Sequence, residues 1–527
     1  MKTILKGQAA REKLLEGAQL VYDCVSVTLG PKSANVAVSR QWGMGKIIHD
    51  GVSIAREVVS SDVAVNMGAL FVIEAAAKTV DECGDGTTTS TILSYELLKQ
   101  GNALIQSGKV NAIQLRDELD AAYIKLLPNL TEMAKKTRNI TDLEKIATIS
   151  STQKDIGRLV SRAYEIVGLD GIVTADRAYG VSDQVDITEG MQFDQGYASR
   201  YFVTNPDKMD ATIDEPFIIV LDKKLSHENE LLPALGKIIG QSTNIVVFGD
   251  LEESALAVLI RNKMEGKINC MVIRPPRVPR PRQEFLEDVS RLTGAKILTT
   301  EIGFDIKNFD VSWCGRAERV YATSGRSTII GGRGDKAHIK KHIENLKYKR
   351  DNPENEVDRE MAEERYAKMS AGIVVIRVGG KTEIIQNERL ERLKDAIGAT
   401  RAALEEGVVP GGGVVFLKLQ KSIKATTNGA KLLRSVLDTP IKKILENAGE
   451  SAESAKNIID NIIGFSKDKM YGYEMVTGTI VDMDEKNVLD PVKVLRVALA
   501  NAVSVAGSIL TTEVLIAQAI EPLALNE

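Results

Sequence analysis

The sequence lacks most of the signatures that would place it in a familiar chemistry at once. Its four cysteines, Cys24, Cys83, Cys270 and Cys314, include no CxxC pair. That spacing excludes a zinc knuckle and a disulfide framework, and fits buried thiols in a reducing compartment. No apolar run of signal-peptide length follows Met1-Lys2-Thr3-Ile4-Leu5-Lys6, so a cytoplasmic protein is expected. The most apolar stretch, Val497 to Thr512, is uncharged but broken by Asn501, Ser504 and Ser508. It falls short of the roughly 18–20 residues that span a bilayer and is expected to be a buried helix. A formal net charge of −4 gives no reason to expect nucleic acid or an anionic membrane as partner. No GxGxxG motif opens the middle of the chain, and Gly379-Gly380-Lys381-Thr382 is not a Walker A loop, which needs glycine where Val375 stands. Nor is there a catalytic His, Cys or Ser constellation there: His227 is isolated, and His338 and His342 lie in a densely charged stretch.

What is present is a long chain of ordinary globular composition. Its 527 residues are 43% hydrophobic and 27% charged, too many for one core, so two to four domains are expected. One octet is hard to explain as packing: Gly84-Asp85-Gly86-Thr87-Thr88-Thr89-Ser90-Thr91. Apolar residues at helical spacing precede it (Met67, Leu70, Phe71, Ala75, Val80) and follow it (Ile92, Leu93, Tyr95, Leu97, Leu98), so the loop feeds a helix N-terminus. There the first N–H groups are unpaired and the dipole favours an anion. Three β-branched threonines form the first turn poorly, which leaves their hydroxyls as the reason for the choice. Asp85 would repel phosphate unless a hard cation lay between, and Mg²⁺ held by one carboxylate plus phosphate oxygens fits. The octet also fits a plain capped turn, with glycine for flexibility and threonine for local hydrogen bonds.

In chain order, Ala9 to Val27 reads as a helix stopped by Thr28-Leu29-Gly30-Pro31, where bare backbone reaches a surface. Asn35 to Val38 and Lys46 to His49 can pair as short strands leading into Asp50-Gly51, whose carboxylate is either surface decoration or a second acid near a metal. Asn111 to Thr137 is helical again, and the character changes around Asp170-Gly171. Strands Phe217–Leu221, Asn244–Phe248, Ile268–Ile273 and Lys296–Leu298 then alternate with helices Leu231–Gly240, Glu252–Met264 and Glu284–Leu292, the pace of an α/β domain with a mostly parallel sheet. The run Arg274 to Arg282 is basic, but its prolines and lack of aromatics favour a stiff solvated loop over a phosphate contact. Lys336 to Ala367 is a charged helical hairpin broken at Asn352-Pro353, and Ile373 to Val378 a strand. In the helix Glu388 to Glu406, Asp395 lies off the apolar stripe and by itself reads as a solvated residue. Gly411-Gly412-Gly413 is a second place of close backbone approach. Asp490-Pro491 reads as cap and N1 proline of a helix running through Ala519.

The order and spacing of Thr28-Leu29-Gly30-Pro31, Asp50-Gly51, Gly84 to Thr91, Asp395, Gly411 to Gly413 and Asp490-Pro491 closely resemble the group I chaperonins, the GroEL-type family. The resemblance runs from about Gly7 to Gln518. It is most specific at Val27 to Lys32, Gly84 to Thr89, Ala399 to Gly407 and Ser504 to Gly507.

It implies a multidomain α and α/β fold. A helical equatorial ATP-binding domain would take residues 1–132 and 406–527, a small α/β intermediate domain 133–188 and 373–405, and an α/β apical domain 189–372, with hinges near Gly190 and Gly372. It also implies an ATPase that folds non-native proteins in a ring cavity, built as two stacked rings of seven copies and closed by a small GroES-type co-chaperonin, with ATP, Mg²⁺ and K⁺ as cofactors. By the same resemblance Asp85 holds Mg²⁺. Gly86 and the Thr87, Thr88 and Thr89 hydroxyls and amides take the phosphates. Thr28, Leu29, Gly30, Pro31 and Gly412 line the nucleotide, and Asp490 accepts from the ribose. Asp395 aligns the attacking water and Asp50 assists. Clients and co-chaperonin would bind at Tyr197, Ser199, Tyr201, Phe202, Leu232, Leu235, Leu256 and Ile260, an apolar groove worth about 25 cal/mol per Å² buried. The alternative for these leucines is ordinary core packing.

The chain departs from the family at informative places. His49 stands where lysine is usual, Glu474 where asparagine contacts the base, and Arg261 where the groove is apolar; Arg277-Val278-Pro279 replaces a glycine-rich turn, and the end at Leu525-Asn526-Glu527 lacks Gly-Met repeats. Arg261 can lay its stem on the groove with its charge in water. The chain thus reads as a divergent copy. A ring or holdase that binds proteins but cycles ATP poorly is the competing reading.

Overall fold

The computed structural model describes residues 2–39, 46–137, 139–169, 171–178, 180–188, 190–206, 209–299, 306, 309–353, 355–370, 372–465, 469–475 and 477–518. The expected transition at Asp170, the helix end at Ala519 and the terminal Leu525 to Glu527 fall outside these residues. The chain divides into two compact units, one made of Met1–Arg162, Arg177–Ser182 and Val378–Glu527, the other of Ala163–Asp176 and Asp183–Arg377.

The first unit is helical. Helices Gln8–Val25, Val63–Cys83, Thr87–Gln106, Ala112–Glu132 and Val492–Leu510 pack around a core that includes Leu14, Val72, Leu93, Leu97, Leu119, Leu499 and Val503. Two of these, Val63–Cys83 and Val492–Leu510, are long and apolar enough to cross a membrane by length and composition, and the second is mostly buried among its neighbours. Helix Val63–Cys83 does not bury the stripe its large residues suggest. Leu70 is 55% exposed, whereas Gly68, Ala69, Val72, Ala75 and Ala76 face inward. The reason lies in the close approach of two backbones: a Cβ at Gly17 would fall 1.9 Å from the Val65 carbonyl oxygen, and one at Gly68 would fall 2.1 Å from that of Leu14. Small residues win the buried face because only they let the helices approach that closely.

Several element ends differ from expectation, and three of them rearrange the chain around this unit's core. Helix Ala112–Glu132 stops five residues short of Thr137, because Lys135 leaves it to exchange backbone hydrogen bonds with Val408 at 2.8 and 2.9 Å. Asp490 is no helix cap. It lies in strand Leu489–Pro491, paired with Val408–Pro410, and the helix begins only at Val492. That helix ends at Leu510, and Val514–Gln518 forms a ribbon with the N-terminal strand Lys2–Lys6. Alternating exposure, with Leu515 and Ala517 buried and Ile516 at 56%, marks this segment as strand. The expected hairpin of Val36–Val38 with Lys46–Ile48 is present.

The second unit carries an eight-stranded sheet. Its parallel part orders Asn269–Ile273, Asn244–Phe248, Phe217–Leu221 and Ile297–Leu298, and antiparallel strands continue it from Gly315–Ala322. All five residues of Phe217–Leu221 are buried, as a strand covered on both faces requires. Helices Glu228–Ile239, Glu253–Met264 and Pro279–Thr293 pack against it through Leu231, Leu235, Leu259, Phe285 and Val289. The basic proline run is not wholly a solvated loop. Pro279 and Pro281 lie in the first turn of the third helix, where their missing N–H groups cost nothing, and Arg282 is ion-paired with Asp222 and Asp250. The charged hairpin Lys336–Asp351 and Glu356–Ser370 is mostly solvated, but His342 and Arg365 turn inward onto the buried Asp288, at 2.8 and 2.6 Å. The four thiols are free. Burial pushes those of Cys83, Cys270 and Cys314 up to about 12, so they are inert packing groups.

Candidate functional site

The loop Gly84-Asp85-Gly86 joins helices Val63–Cys83 and Thr87–Gln106 through two left-handed glycines, with φ of 73° at Gly84 and 95° at Gly86. A Cβ at Gly84 would fall 2.5 Å from the Gly398 Cα, so this loop lies backbone to backbone against helix Glu383–Glu406. Helix Thr87–Gln106 then starts with no side-chain cap, whereas the neighbouring Gly51–Glu57, Val63–Cys83 and Ala112–Glu132 are capped by Asp50, Asp62 and Asn111. Its first N–H groups are thus left for an anion.

Hydroxyls surround that helix end. Thr28 Oγ1 lies 3.0 Å from Thr88 Oγ1 and donates to the Val25 carbonyl at 2.8 Å. A Cβ at Gly51 would fall 2.9 Å from Thr88 Oγ1 and 3.2 Å from Thr87 Cγ2. The turn after Thr28 is held by Asn447, which donates to the carbonyls of Ser26 and Leu29 at 2.9 Å each, with Gly30 at φ 93°. Pro31 is exposed beside it.

Three carboxylates share this neighbourhood. Asp85 accepts from the Gly86 N–H at 2.5 Å and from the Ser150 hydroxyl at 2.8 Å. Burial pushes its carboxyl above the usual range and the charge of Asp50 adds to this, against those two hydrogen bonds. Asp490 is pushed up to about 7, first by burial and then by the charge of Asp85, while a hydrogen bond from the Gly412 N–H opposes the shift. Both groups retain some solvent contact, as side chains lining a cleft do. The glycine run beside Asp490 is obligatory: a Cβ at Gly411 would fall 2.7 Å from Asp490 Oδ1, and Gly412 has φ 72° with Met483 Cε 2.8 Å from its Cβ position. Asp50 caps helix Gly51–Glu57, accepting from Ser53 N at 3.0 Å and Ser53 Oγ at 2.7 Å. The cap therefore accounts for its place without surface decoration. Asp395 is half-buried on helix Glu383–Glu406, three residues before the Gly398 that touches Gly84, and is not a fully solvated residue.

Like charges in this cluster repel one another, which gives a pH dependence with a definite sign. Between the ordinary aspartate range near 4 and about 7, the folded chain keeps a proton on Asp490 that the unfolded chain releases. Stability is therefore expected to fall as pH rises through that window. Asp490→Asn should be more stable than the parent at pH 8 by about 2 kcal/mol, discounted for partial exposure, with the difference vanishing near pH 4. Urea unfolding at the two pH values checks it, and an equal difference at both would refute the assignment.

His49 is hydrogen-bonded through Nδ1 to Asn35 Oδ1 at 3.0 Å, and burial together with Arg392 holds its pKa below the ordinary value. His49, harder to protonate than an ordinary imidazole, thus stands where the family pattern has lysine. Glu474 lies in the hairpin of Tyr471–Glu474 with Thr479–Asp482 and is engaged by Thr477 at 2.8 Å and Lys486 at 3.4 Å. Asp85, Gly412, Asp490, Asp50 and the threonines are brought together; Glu474 bonds to Thr477 and Lys486 of its own segment. Sequence reasoning missed Ser150 and Arg392, since a lone serine at a helix end and an arginine in a charged helix carry no motif.

In the second unit the expected groove residues divide. Tyr201 is 58% and Leu232 44% exposed, and Arg261 is exposed on helix Glu253–Met264. Phe202, Leu235 and Leu256 are turned into the core, the ordinary packing alternative, with Tyr197 and Ile260 partly buried against it. Tyr197 donates to the Met209 carbonyl at 3.1 Å, and the Ser199 hydroxyl caps the short turn Arg200–Phe202. Two apolar residues outside the expected set are also exposed on the same two helices, Ile239 at 43% and Met264 at 72%.

The model of the TCP-1/cpn60 chaperonin family matches residues 21–519. Among solved structures, the chain is similar to the chaperonin gp146 from the bacteriophage EL 2 (Pseudomonas aeruginosa), crystallised in the presence of ATP-BeFx. In one crystal form the TM-score is 0.69 at 21% identity, covering 98% of this chain and 99% of that one. In a second crystal form the TM-score is 0.62 with the same identity and coverage.

Proposed function

Because this chain belongs to the TCP-1/cpn60 chaperonin family, we propose that it is an ATP-driven ring chaperone of the cytoplasm that captures non-native proteins and releases them through a nucleotide cycle. One observation carries the reading: half-buried Asp85 and Asp490 are both pushed above the ordinary carboxylate range, Asp85 by burial and the charge of Asp50, Asp490 by burial and the charge of Asp85, beside an uncapped, threonine-rich helix start. Such an arrangement is unfavourable alone and favourable around a cation and an anion together. Among the described residues no three His, Cys, Asp or Glu side chains cluster closely enough to hold a metal. Asp85 would therefore hold Mg²⁺ with phosphate oxygens and water as the other ligands. When bound, the metal neutralises phosphate charge. The N–H groups and hydroxyls of Thr87 to Thr89 bind the phosphates, and Thr28 and Gly30 line the nucleotide. Gly412 admits the nucleoside, and Asp490 accepts from the ribose. Asp395 orients and deprotonates the attacking water, with Asp50 in support. K⁺ is a further cation of this reading.

Exposed Tyr201, Leu232, Ile239 and Met264 supply an apolar surface for unfolded chains and for a co-chaperonin segment that competes with them. Two-stranded ribbons that pair with no further strand among the described residues, with exposed Ile4, Ile47 and Ile516, support assembly with further copies into stacked rings. The equatorial, intermediate and apical division, with left-handed Gly372 at one hinge, belongs to the same proposal. A second reading, a holdase that cycles ATP poorly, is favoured by the lowered pKa of His49. Phosphate release from ATP with Mg²⁺, and refolding of a stringent client with and without a co-chaperonin, decide between them. Client capture without phosphate release would leave the holdase.

A further inference from the structure

We propose that Ser150 is a positioning residue for this nucleotide chemistry: its hydroxyl fixes one oxygen of Asp85 and ties that carboxylate to the helix that carries Asp395. The inference rests on the nucleotide reading above and adds to it a link between the metal side of the site and the water side.

Asp85 has a donor on each oxygen, the Gly86 N–H on Oδ1 at 2.5 Å and the Ser150 hydroxyl on Oδ2 at 2.8 Å. The two together set the carboxylate plane and leave its remaining lone pairs for a cation. The first donor is local and moves with the loop. The second comes from a different helix, Ile140–Ser151, 65 residues away in sequence.

The end of that helix is held in an unusual way. Thr152 follows it at φ 57°, a left-handed conformation that β-branched residues rarely adopt. Arg392 reaches across from helix Glu383–Glu406 and donates to the Ser151 carbonyl at 3.0 Å and to the Thr152 hydroxyl at 2.6 Å. Ser151 Oγ donates in turn to the Ala147 and Gln153 carbonyls at 2.6 and 3.1 Å. Arg392, Asp395 and Gly398 follow at intervals of three along one helix, close to a turn apart. The first clamps the turn that bears Ser150, the second is the proposed base, and the third rests against Gly84, next to Asp85. A displacement of this helix that withdraws Asp395 would therefore also disturb the hydroxyl on Asp85, so metal grip and water alignment change together.

The test uses the full-length chain and Mn²⁺ titrated in the presence of a non-hydrolysable ATP analogue, read by electron paramagnetic resonance, with steady-state hydrolysis at varied Mg²⁺ as a second readout. Ser150→Ala is expected to weaken Mn²⁺ binding by roughly 10- to 100-fold, the usual cost of losing a partner that orients a metal ligand, and Ser150→Thr to stay within about threefold of the parent. Hydrolysis by Ser150→Ala should recover at high Mg²⁺, unlike that of Asp395→Asn, which stays low at every concentration. Parent-like Mn²⁺ affinity in Ser150→Ala, or equal losses in the alanine and threonine variants, would overturn the proposal. If the parent itself binds no Mn²⁺ with the analogue, the nucleotide reading fails and this inference goes with it.

Discussion

Asp395→Asn is expected to slow ATP hydrolysis by roughly 10²- to 10⁴-fold, the range for removing a positioned general base, while nucleotide affinity stays within about threefold. The amide keeps the shape of the carboxylate and loses its ability to take a proton. Helix Glu383–Glu406 should keep its position, because its hold on the loop is the backbone contact of Gly398 with Gly84 and its hold on the adjoining helix is the Arg392 clamp. The loss should therefore appear in kcat with little change in KM. Single-turnover hydrolysis and equilibrium binding of labelled nucleotide separate the two quantities. A parent-like rate would remove Asp395 from the chemistry, and a parallel collapse of binding would make it structural.

The second large effect falls on the Gly84–Gly398 contact. Gly84→Ala places a Cβ 2.5 Å from the Gly398 Cα and also asks an alanine to hold φ 73°. Left-handed strain of about 1–2 kcal/mol and steric overpacking of about 1–3 kcal/mol combine to a loss of roughly 2–5 kcal/mol. Gly398→Ala meets the same backbone from the other side, also at 2.5 Å, without a positive φ. It is expected to be the milder of the two, and the double substitution to fall short of the sum, since both relieve themselves by parting the same elements. Urea unfolding of the three variants checks the order. Equal stabilities for Gly84→Ala and the parent would mean that the loop and the helix do not meet.

Much of this could be read from the residues, and the failures have physical causes. The apolar strands from Phe217 onward survive almost residue for residue, because a strand buried on both faces is written as a short apolar run, while the helices between them keep their order with shifted starts. The octet around Asp85 could be placed on a helix start because glycine and threonine there serve neither propensity nor packing. The inward face of Val63–Cys83 could not, since large apolar residues attract the eye and the deciding fact is a backbone contact with a distant helix. Asp490 was misplaced for a similar reason. Asp-Pro opens helices so often that its pairing with Val408–Pro410, visible only when far parts of the chain meet, has no local trace. The helical start at Pro279 shows the same rule in reverse, with proline tolerated at a first turn although its run of prolines reads as a bar to helix.

The discontinuous makeup of the helical unit bears on how the polypeptide is born. Lys2–Lys6 waits for Val514–Gln518, and the helices from Gln8 to Gln106 wait for Val492–Leu510 to fill their core. By contrast, most of the other unit is one uninterrupted stretch from Asp183 to Arg377 and can close while the ribosome is still at work. At about 5–20 residues per second, the early helices stay without their late partner for tens of seconds. A nascent copy thus passes much of its own synthesis as a sticky, half-sheltered polypeptide, the same kind of cargo that the finished assembly is proposed to take in.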